Sequence, residues 1–238
     1  MKRINQFLNL LLVITFFASC KKDTNIATSP LASLNIVNAS VNLGTIEPNF
    51  TGTGIPNFWN GITKSIAYGS NLAFSVNANT SVPLSIATSA DSTVLVYRNT
   101  LNFSNGSYYT LFLAGQAGAV DSIMIRESFT NYQDSSFGVR FINLSYNSNP
   151  IAITISTSDS INEFGPLSDN QYSDFKKYSG AFPSTHYTFQ VRDAGTDSLL
   201  ASYPVSPIPY FHNVTLAWIG ETGGTGTAAP KVMRINHY

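Results

Sequence analysis

The heptapeptides LNIVNAS (residues 34–40) and VRFINLS (residues 139–145) share one pattern, an apolar segment that ends in Asn-x-Ser. They lie 105 positions apart, as the numbers of Asn38 and Asn143 show. One register held across about 80 residues indicates a tandem duplication. Two further pairs keep the same offset: LSI (84–86) with FQV (189–191), and TLFLAG (110–115) with TLAWIG (215–220).

Short runs of Val, Ile, Leu, Phe and Tyr alternate with turn-forming residues along both copies. No ten-residue stretch after Leu31 has the 3.6-residue apolar period of a helix. This pattern predicts an antiparallel all-β fold, with enough strands in each copy for two facing sheets around one core. Strands are predicted in the first copy at residues 32–41, 71–76, 82–88, 93–97 and 108–114.

Both copies resemble the immunoglobulin-like repeat known as domain of unknown function 4397, which is common in bacterial lipoproteins. The Asn-x-Ser at Asn38 and Asn143 carries the resemblance, together with a Tyr-Gly or Tyr-Ser step at Tyr68 and Tyr172. It implies two tandem antiparallel immunoglobulin-like β-sandwich domains, at residues 32–130 and 137–238, and it transfers no catalytic residue. Further matching positions are Phe74, Tyr178, and the strand YTFQV (187–191) with its degenerate counterpart PLSI (83–86).

The tyrosine of each Tyr-Gly or Tyr-Ser step has a structural explanation. A tyrosine can bury its ring between two sheets while its hydroxyl reaches a polar edge. The asparagine of Asn-x-Ser can likewise bond to nearby backbone and end the strand. We therefore expect these motif residues to support the fold rather than a reaction.

The first 19 residues predict a signal peptide. Lys2 and Arg3 precede an apolar run at residues 7–17 (FLNLLLVITFF). This run is shorter than the roughly 20 residues that a membrane-spanning helix needs, which favours a cleaved signal.

Ala18-Ser19-Cys20 resembles a bacterial lipobox, with Phe17 at the position where leucine is usual. The resemblance implies that the Cys20 thiol receives a diacylglycerol and that the peptide bond before it is cut. Two or more acyl chains, such as palmitate, anchor a protein stably because each buried methylene contributes about 0.8 kcal/mol. The alternative is an ordinary cleaved signal beside an unmodified cysteine.

The residues after Cys20 predict a tether and a destination. Lys21-Lys22-Asp23 resembles the export signal of Bacteroidota surface lipoproteins, and a short solvated charge run is the alternative. Residues 20–31 are polar and unpatterned, as in a flexible linker. We therefore expect an outer-membrane lipoprotein that faces the cell surface, with the periplasmic face as the alternative.

Composition excludes several classes of function. The only cysteine is Cys20, so no disulfide or cysteine-based metal site is expected in the folded part. Of the 13 Lys and Arg residues, Lys2 and Arg3 are in the signal, which leaves 11 against 13 Asp and Glu. A chain without basic excess is a poor nucleic-acid binder. The expected partners are the membrane, through the anchor, and an extracellular glycan or envelope protein; no cofactor is predicted.

Candidate ligand-binding residues lie where the two copies differ. Residues 50–62 (FTGTGIPNFWNGI) form a Gly-rich stretch that contains Phe50, Phe58 and Trp59. The equivalent stretch of the second copy contains Phe164 and Tyr172. Aromatic rings beside amides and hydroxyls suit sugar rings, so a glycan is the hypothesised ligand. The alternative for Trp59 is that it folds inward and caps the sandwich.

Catalytic and metal sites are not predicted. Asp169 and Asp174 lie near each other but lack the Asp-x-Asp-x-Asp-Gly order of a calcium loop. His186, His212 and His237 lack zinc-ligand spacing. No Gly-x-Ser-x-Gly turn is present to hold a serine nucleophile.

Four Asp-Ser dipeptides are each followed by Thr, Ile or Leu. They resemble the acceptor motif of Bacteroidota O-glycosylation, and the alternative is that Asp-Ser starts hairpin turns. The candidate acceptors are Ser92, Ser122, Ser160 and Ser198.

These observations together predict a non-enzymatic, lipid-anchored envelope protein that acts as a binding or spacer module. A purely structural envelope component without a small ligand is the first alternative. A hydrolase is the second, and it would need a cleft that gathers a histidine, an acid and a serine.

Overall fold

The structure, a computed structural model, describes residues 29–52, 64–156, 162–181 and 187–237. This part of the chain is all-β, with no α-helix and one 3-10 turn at Gly226–Ala228. None of its helices has the length and apolar character needed to cross a bilayer. Several predicted features lie outside the described residues: the signal peptide, Cys20, the lysine-rich signal, most of the tether, Phe58, Trp59, Ser160 and His186.

Fifteen strands alternate with short turns in the described part. The five strands predicted for the first copy are all present, with bounds that differ by a few residues. The first half contains β1 (Leu31–Asn38), β2 (Ile46–Asn49), β3 (Ser70–Asn77), β4 (Ser81–Thr88), β5 (Asp91–Asn102), β6 (Tyr108–Gln116) and β7 (Ala119–Arg126). The second half contains β8 (Phe137–Asn143), β9 (Ile151–Ile155), β10 (Phe164–Leu167), β11 (Lys176–Tyr178), β12 (Thr188–Asp193), β13 (Leu199–Pro204), β14 (Asn213–Ile219) and β15 (Lys231–Asn236).

Two sheets enclose the core of the first half. One sheet has the order β3-β1-β6-β7, and the other has the order β2-β4-β5. Side chains alternate between the faces of a strand, so Leu34 and Ile36 of β1 enter this core. Ser33, Asn35 and Val37 consequently point away from it.

The second half repeats this arrangement with the orders β11-β8-β14-β15 and β10-β9-β12-β13. Its core contains a cluster of three phenylalanines. The Phe141 ring lies 5.3 Å from Phe164 and 5.3 Å from Phe189 between centroids. Phe164 is therefore a core residue of strand β10, and part of the stretch expected to be a variable loop is regular sheet.

The strands of the two halves pair in the same register. Strand β1 is parallel to β6, with Asn35 opposite Thr110. Strand β8 is parallel to β14, with Arg140 opposite Thr215. The parallel pair in each sheet is flanked by antiparallel edge strands. Asn35 and Arg140 are thus equivalent positions, and so are Thr110 and Thr215.

The two asparagines of the Asn-x-Ser motif connect strand ends to the following loops. Asn38 Nδ2 donates to the carbonyls of Gly44, at 2.8 Å, and Ile66, at 3.2 Å. Asn143 Nδ2 donates to the carbonyl of Leu167 at 3.1 Å. These bonds tie the end of each strand to carbonyls of later segments of the same half.

The two halves are joined face to face by a third apolar core. Val37 and Phe112 project into it from the first half, and Ile142 and Ala217 project from the second. Every residue of β8 and of β14 is therefore buried, because each strand has one face in its own sandwich and one in this shared layer. The two sandwiches therefore pack directly against each other through this layer. Other members are Ala39, Ala114, Ile125, Leu144, Ile219, Met233 and Ile235.

Candidate functional site

A pocket of about 600 Å³ lies between the two halves, beside the shared apolar core. Its wall combines aromatic and proline surfaces with amide, hydroxyl and charged side chains. The first half contributes Ser33, Asn35, Asn71, Leu72, Ala73, Tyr108, Tyr109, Thr110, Glu127 and Phe129. The second half contributes Pro207, Ile208, Pro209, His212, Arg234, Asn236 and His237.

The same strand faces that form the shared core also form the pocket. On β1, Ser33 and Asn35 line the pocket, and Val37 two residues later enters the shared core. On β6, Thr110 lines the pocket and Phe112 enters the core. Because side chains of one face recur at every second residue, each strand is polar at its pocket end and apolar at the other.

A buried ion pair connects the halves at the edge of the pocket. Arg140 Nη2 donates to Glu127 Oε1 at 2.6 Å, and both side chains are at least 95% buried (4% and 1% exposed). Thr110 Oγ1 donates to the same carboxylate oxygen at 2.6 Å. Arg140 Nε donates to Thr215 Oγ1 at 2.8 Å. A buried pair of charges is tolerated only when such additional bonds satisfy it.

The second oxygen of this carboxylate, Glu127 Oε2, is buried and has no hydrogen-bond partner among the described residues. A buried acceptor without a partner costs about 1–3 kcal/mol, and more when it is charged. Glu127 also lines the pocket. The Glu127 side chain is only 1% exposed, so the carboxylate lies beneath the wall of the pocket, where it accepts from Arg140 and Thr110.

His237 completes the network on the other side. Its Nε2 lies 2.7 Å from Thr215 Oγ1, and its ring lies 4.8 Å from the Phe129 ring at a 30° tilt. Burial and the nearby positive charge of Arg140 lower the pKa of His237 to about 3. The imidazole is therefore neutral near pH 7. Since Thr215 Oγ1 already accepts from Arg140, we assign its hydroxyl proton to the bond with Nε2.

Glu127 and His237 occupy corresponding positions in the two halves. Glu127 follows β7 by one residue and bonds to Thr110 of the adjacent strand. His237 follows β15 by one residue and bonds to Thr215 of the adjacent strand. One half thus supplies a carboxylate and the other a neutral imidazole, which makes the pocket chemically asymmetric.

The family assignment follows from a sequence match that covers the first sandwich and part of this network. The pattern of the family described as "Domain of unknown function (DUF4397)" matches residues 32–154, more than half of the chain. The chain belongs to this family. The matched segment of this DUF4397 protein contains the whole first half, including Glu127, and extends through Arg140 to β9.

Comparisons with other proteins show only distant structural similarity to this DUF4397 protein. No curated protein matches the chain. A carbohydrate-binding module of family CBM26 from Eubacterium rectale Amy13K, solved with maltoheptaose, is 8% identical with a TM-score of 0.27, over 87% of this chain and 97% of the module. A Bacteroides ovatus protein described as an adhesin is 10% identical with a TM-score of 0.23, over 90% of this chain and 98% of the adhesin. Nothing about the ligand of this chain follows from similarities at this level.

The described ligand-binding candidates from the sequence lie in three different environments. Phe50 is half-buried against the first core, with its ring 5.3 Å from that of Phe74. Phe164 is buried in the second core. Tyr172 is 46% exposed, with the Arg140 guanidinium 5.7 Å from its ring. The expectation that Tyr172 buries its ring between sheets is wrong, and the structure does not bring these three rings together.

Tyr68, the counterpart of Tyr172 in the sequence motif, packs against the shared apolar core. Its hydroxyl is buried without a hydrogen-bond partner among the described residues. Burial accordingly raises the pKa of Tyr68. Its ring also faces the ammonium group of Lys231, which lies 5.2 Å from the ring centroid.

The described Asp-Ser motifs of the DUF4397 protein lie at or near turns. Asp91 starts β5, and its Oδ1 accepts a hydrogen bond from the backbone of Thr93 at 2.8 Å. Ser122 and Ser198 are exposed, and Ser92 is half-exposed. The geometry fits the turn interpretation for Asp91, and O-glycosylation of these serines stays a prediction.

Within the described ranges, no group of three or more His, Cys, Asp or Glu side chains is placed to hold a metal ion. Burial and the negative charge of Asp121 raise the pKa of Asp169. The two acids belong to different halves, and their charges repel each other.

Sequence reasoning missed the residues that build the pocket. Glu127 and Phe129 follow the last strand of the first copy, at the end of the predicted first domain, where no functional residue was expected. His237 was set aside because its spacing did not fit a metal site. Arg140 carried a usable signal, since it is the one charged residue within the apolar run FGVRFIN of β8. A charge in a strand buried on both faces indicates a partner charge on a neighbouring element.

Proposed function

We propose that this protein is a non-enzymatic, lipid-anchored protein of the cell envelope that binds a glycan in the pocket between its two sandwiches. The observation that carries the proposal is a pocket whose wall places aromatic rings, Tyr108 and Phe129, beside the amides of Asn35 and Asn71. Sugar rings present C–H faces that pack on aromatic rings and hydroxyl groups that exchange hydrogen bonds with amides.

A neutral polyhydroxylated ligand fits the charges of the site better than a cation does. The negative charge of Glu127 is balanced by Arg140 at 2.6 Å, and the other charged side chain of the wall, Arg234, is positive, so no unbalanced negative charge attracts a cation. The Arg234 guanidinium donates to Asn236 Oδ1 at 2.7 Å and to the Pro207 carbonyl at 2.8 Å. The amides of Asn35 and Asn71 add both donors and acceptors to the wall.

The pocket supports binding rather than hydrolysis of a glycan. Glycoside hydrolases generally act with two carboxyl groups on either side of the bond that breaks. Among the described residues that line the pocket, Glu127 is the only acid. His237, with its lowered pKa, is not positioned as a proton donor near pH 7.

The proposed location rests on the N-terminal residues alone. The apolar run 7–17, the small residues before Cys20 and the Lys21-Lys22-Asp23 signal support a lipid anchor and surface display. Mass spectrometry of the protein from its native host tests this proposal. A mass that lacks both acyl chains on Cys20 would overturn it.

The binding proposal predicts that filling the pocket abolishes glycan binding. Ala73 is an exposed residue of β3 that lines the pocket beside Asn35. We expect Ala73→Trp to weaken glycan binding by tenfold or more, because the indole occupies the space of a sugar ring. The measurement is titration calorimetry of the full chain, purified in detergent, against a panel of soluble mono- and oligosaccharides.

A matched control separates occlusion from general damage. Ser202→Trp places the same side chain at an exposed position of edge strand β13 that does not line the pocket, and it should leave affinity unchanged. If no saccharide binds the unaltered protein, or if both tryptophan variants bind as it does, the proposed function is wrong.

A further inference from the structure

We infer that the pocket is one end of a longer site, in which a row of four aromatic side chains binds a linear glycan chain of several sugar units. The row consists of Tyr108, Phe129, Phe175 and Tyr172, and it is called the aromatic row below. This inference rests on the proposed glycan-binding function and adds to it the class of ligand, a chain rather than a single sugar.

The aromatic row runs across the boundary between the halves. The ring of Tyr108 lies 5.7 Å from that of Phe129, which lies 6.0 Å from that of Phe175. The Arg140 guanidinium then bridges to the last ring, at 4.6 Å from Phe175 and 5.7 Å from Tyr172. Tyr108 and Phe129 belong to the first half, and Phe175 and Tyr172 belong to the second.

The aromatic row is continuous with the pocket and open to solvent. Tyr108 and Phe129 themselves line the pocket. Tyr108 is 41% exposed and Tyr172 is 46% exposed, and the two phenylalanines between them are half-buried. A ligand held in the pocket can therefore extend over Phe175 toward Tyr172 without displacing a side chain of the core.

The network beneath holds these rings in place. His237 packs against Phe129 at 4.8 Å and against Phe175 at 6.1 Å between ring centroids. Arg140, which stacks on Phe175, is fixed in turn by Glu127 and Thr215. Rings that are ordered before binding lose little conformational entropy when a ligand stacks on them.

The size of the aromatic row favours a narrow ligand over a protein partner. A fully buried aromatic side chain covers about 150–250 Å², and the four rings here are each less than half exposed. Together they offer well below the roughly 800 Å² that each partner contributes to a stable protein interface. Four rings arranged in a single line instead match the width of one saccharide chain.

Charge also excludes a nucleic-acid strand as the occupant. Proteins that stack the bases of single strands combine the aromatic rings with a basic groove for the phosphates. The guanidinium nearest the row, Arg140, already pairs with Glu127 at 2.6 Å. The chain carries no basic excess elsewhere, with 13 basic and 13 acidic side chains in all.

The test is the dependence of affinity on chain length. The full chain, purified in detergent, is titrated with cello-, malto-, manno- and xylo-oligosaccharides from one to six units. For the series that binds, we expect the Kd to fall by about tenfold or more between one and four units, because added units contact added rings. An affinity that is the same for one sugar unit and for six would refute the inferred role of the aromatic row. The proposed binding in the pocket would then still stand.

Variants of Tyr172 show whether the far end of the row contributes. Tyr172→Ala should raise the Kd for the longer oligosaccharides about fivefold or more, while the Kd for the single sugar stays unchanged. Tyr172→Phe keeps the ring and should restore binding. Leu199→Ala, at an exposed residue of β13 outside the row, is the control.

The outcomes also separate this inference from the function on which it rests. If Tyr172→Ala weakened the binding of one sugar unit and of six units equally, the substitution would have disturbed the pocket itself. The inferred role of the aromatic row would then be wrong. Absence of binding by every saccharide of every length would overturn both proposals.

Discussion

Arg140 shows how one side chain can reveal the assembly of the whole protein. It occupies the position that Asn35 has in the other half, on a strand buried on both faces. A guanidinium is kept in such a place only when hydrogen bonds and an opposite charge compensate its desolvation. Glu127, Thr215 and the ring of Phe175 provide that compensation. Three different elements thus depend on one residue.

His237 makes stability depend on pH in a direction that can be stated. Burial and Arg140 lower its pKa to about 3, compared with 6.5 for an exposed histidine. Between these values the unfolded chain binds a proton that the folded protein excludes, so stability falls as pH falls from about 6.5. We expect a slope of up to about 1.4 kcal/mol per pH unit from this residue.

His237→Gln provides the comparison for that slope. Glutamine can accept the hydrogen bond from Thr215 but does not titrate, so the variant should lose stability less steeply between pH 6.5 and 4.5. The measurement is the free energy of unfolding in urea at several pH values. Parallel curves for the two proteins would contradict the assigned role of His237.

At the scale of single strands, alternation of side chains predicts much of the fold. The runs around Leu34, Leu84 and Leu111 are recognisable because apolar residues recur with the period of a strand, and these three leucines are buried in β-strands. Apolar residues on the second face of β1, such as Val37, gave no comparable information. Periodicity shows that a face is apolar but does not name the element that covers it.

The pocket could not be predicted for the same reason. Its residues come from strands, a connection between the halves and the C-terminal edge, and only the packing of one sheet on another brings them together. The motif-based candidates, in contrast, were chosen because they differ between copies. Of these, Tyr172 lies beside Arg140, whereas Phe164 proved to be part of a core.

Strand β8 has a buried glycine, Gly138, on the face that points away from the core of its own sandwich. A Cβ on Gly138 would lie 2.5 Å from Asn213 Oδ1 and 2.7 Å from Tyr132 Oη, closer than such atoms pack. We expect Gly138→Ala to destabilise the protein by about 1–3 kcal/mol, the usual cost of overpacking. Unfolding in urea measures the change.

The control for Gly138 is another glycine with room for a methyl group. At Gly195, in the turn between β12 and β13, the nearest atom to a Cβ would be Asp193 Oδ1 at 3.4 Å. Gly195→Ala should change the free energy of unfolding by less than about 0.5 kcal/mol. A similar loss in both variants would mean that crowding at β8 is not the cause.

For the molecule as a whole, the shared core decides whether the halves are independent. Each half has an outer sheet face with apolar residues, Val37 and Phe112 on one side and Ile142 and Ala217 on the other. Exposing these faces removes the hydrophobic stabilisation of the layer between them. The pocket, the ion pair and the aromatic row all use residues from both halves, so the proposed function also requires their association.

We therefore predict that neither half is stable alone and that the two halves reassemble when they are produced together. The chain can be divided between Gln133 and Asp134, two exposed residues of the connection. With a tag on one half, the other should co-purify in equal amount, and Phe112→Asp should abolish this association because a carboxylate would be buried in the apolar layer. The control variant Leu199→Asp, at an exposed site, should leave the association of the halves unchanged. Halves that each unfold cooperatively as monomers would contradict this prediction and show that neither half needs the shared core in order to fold.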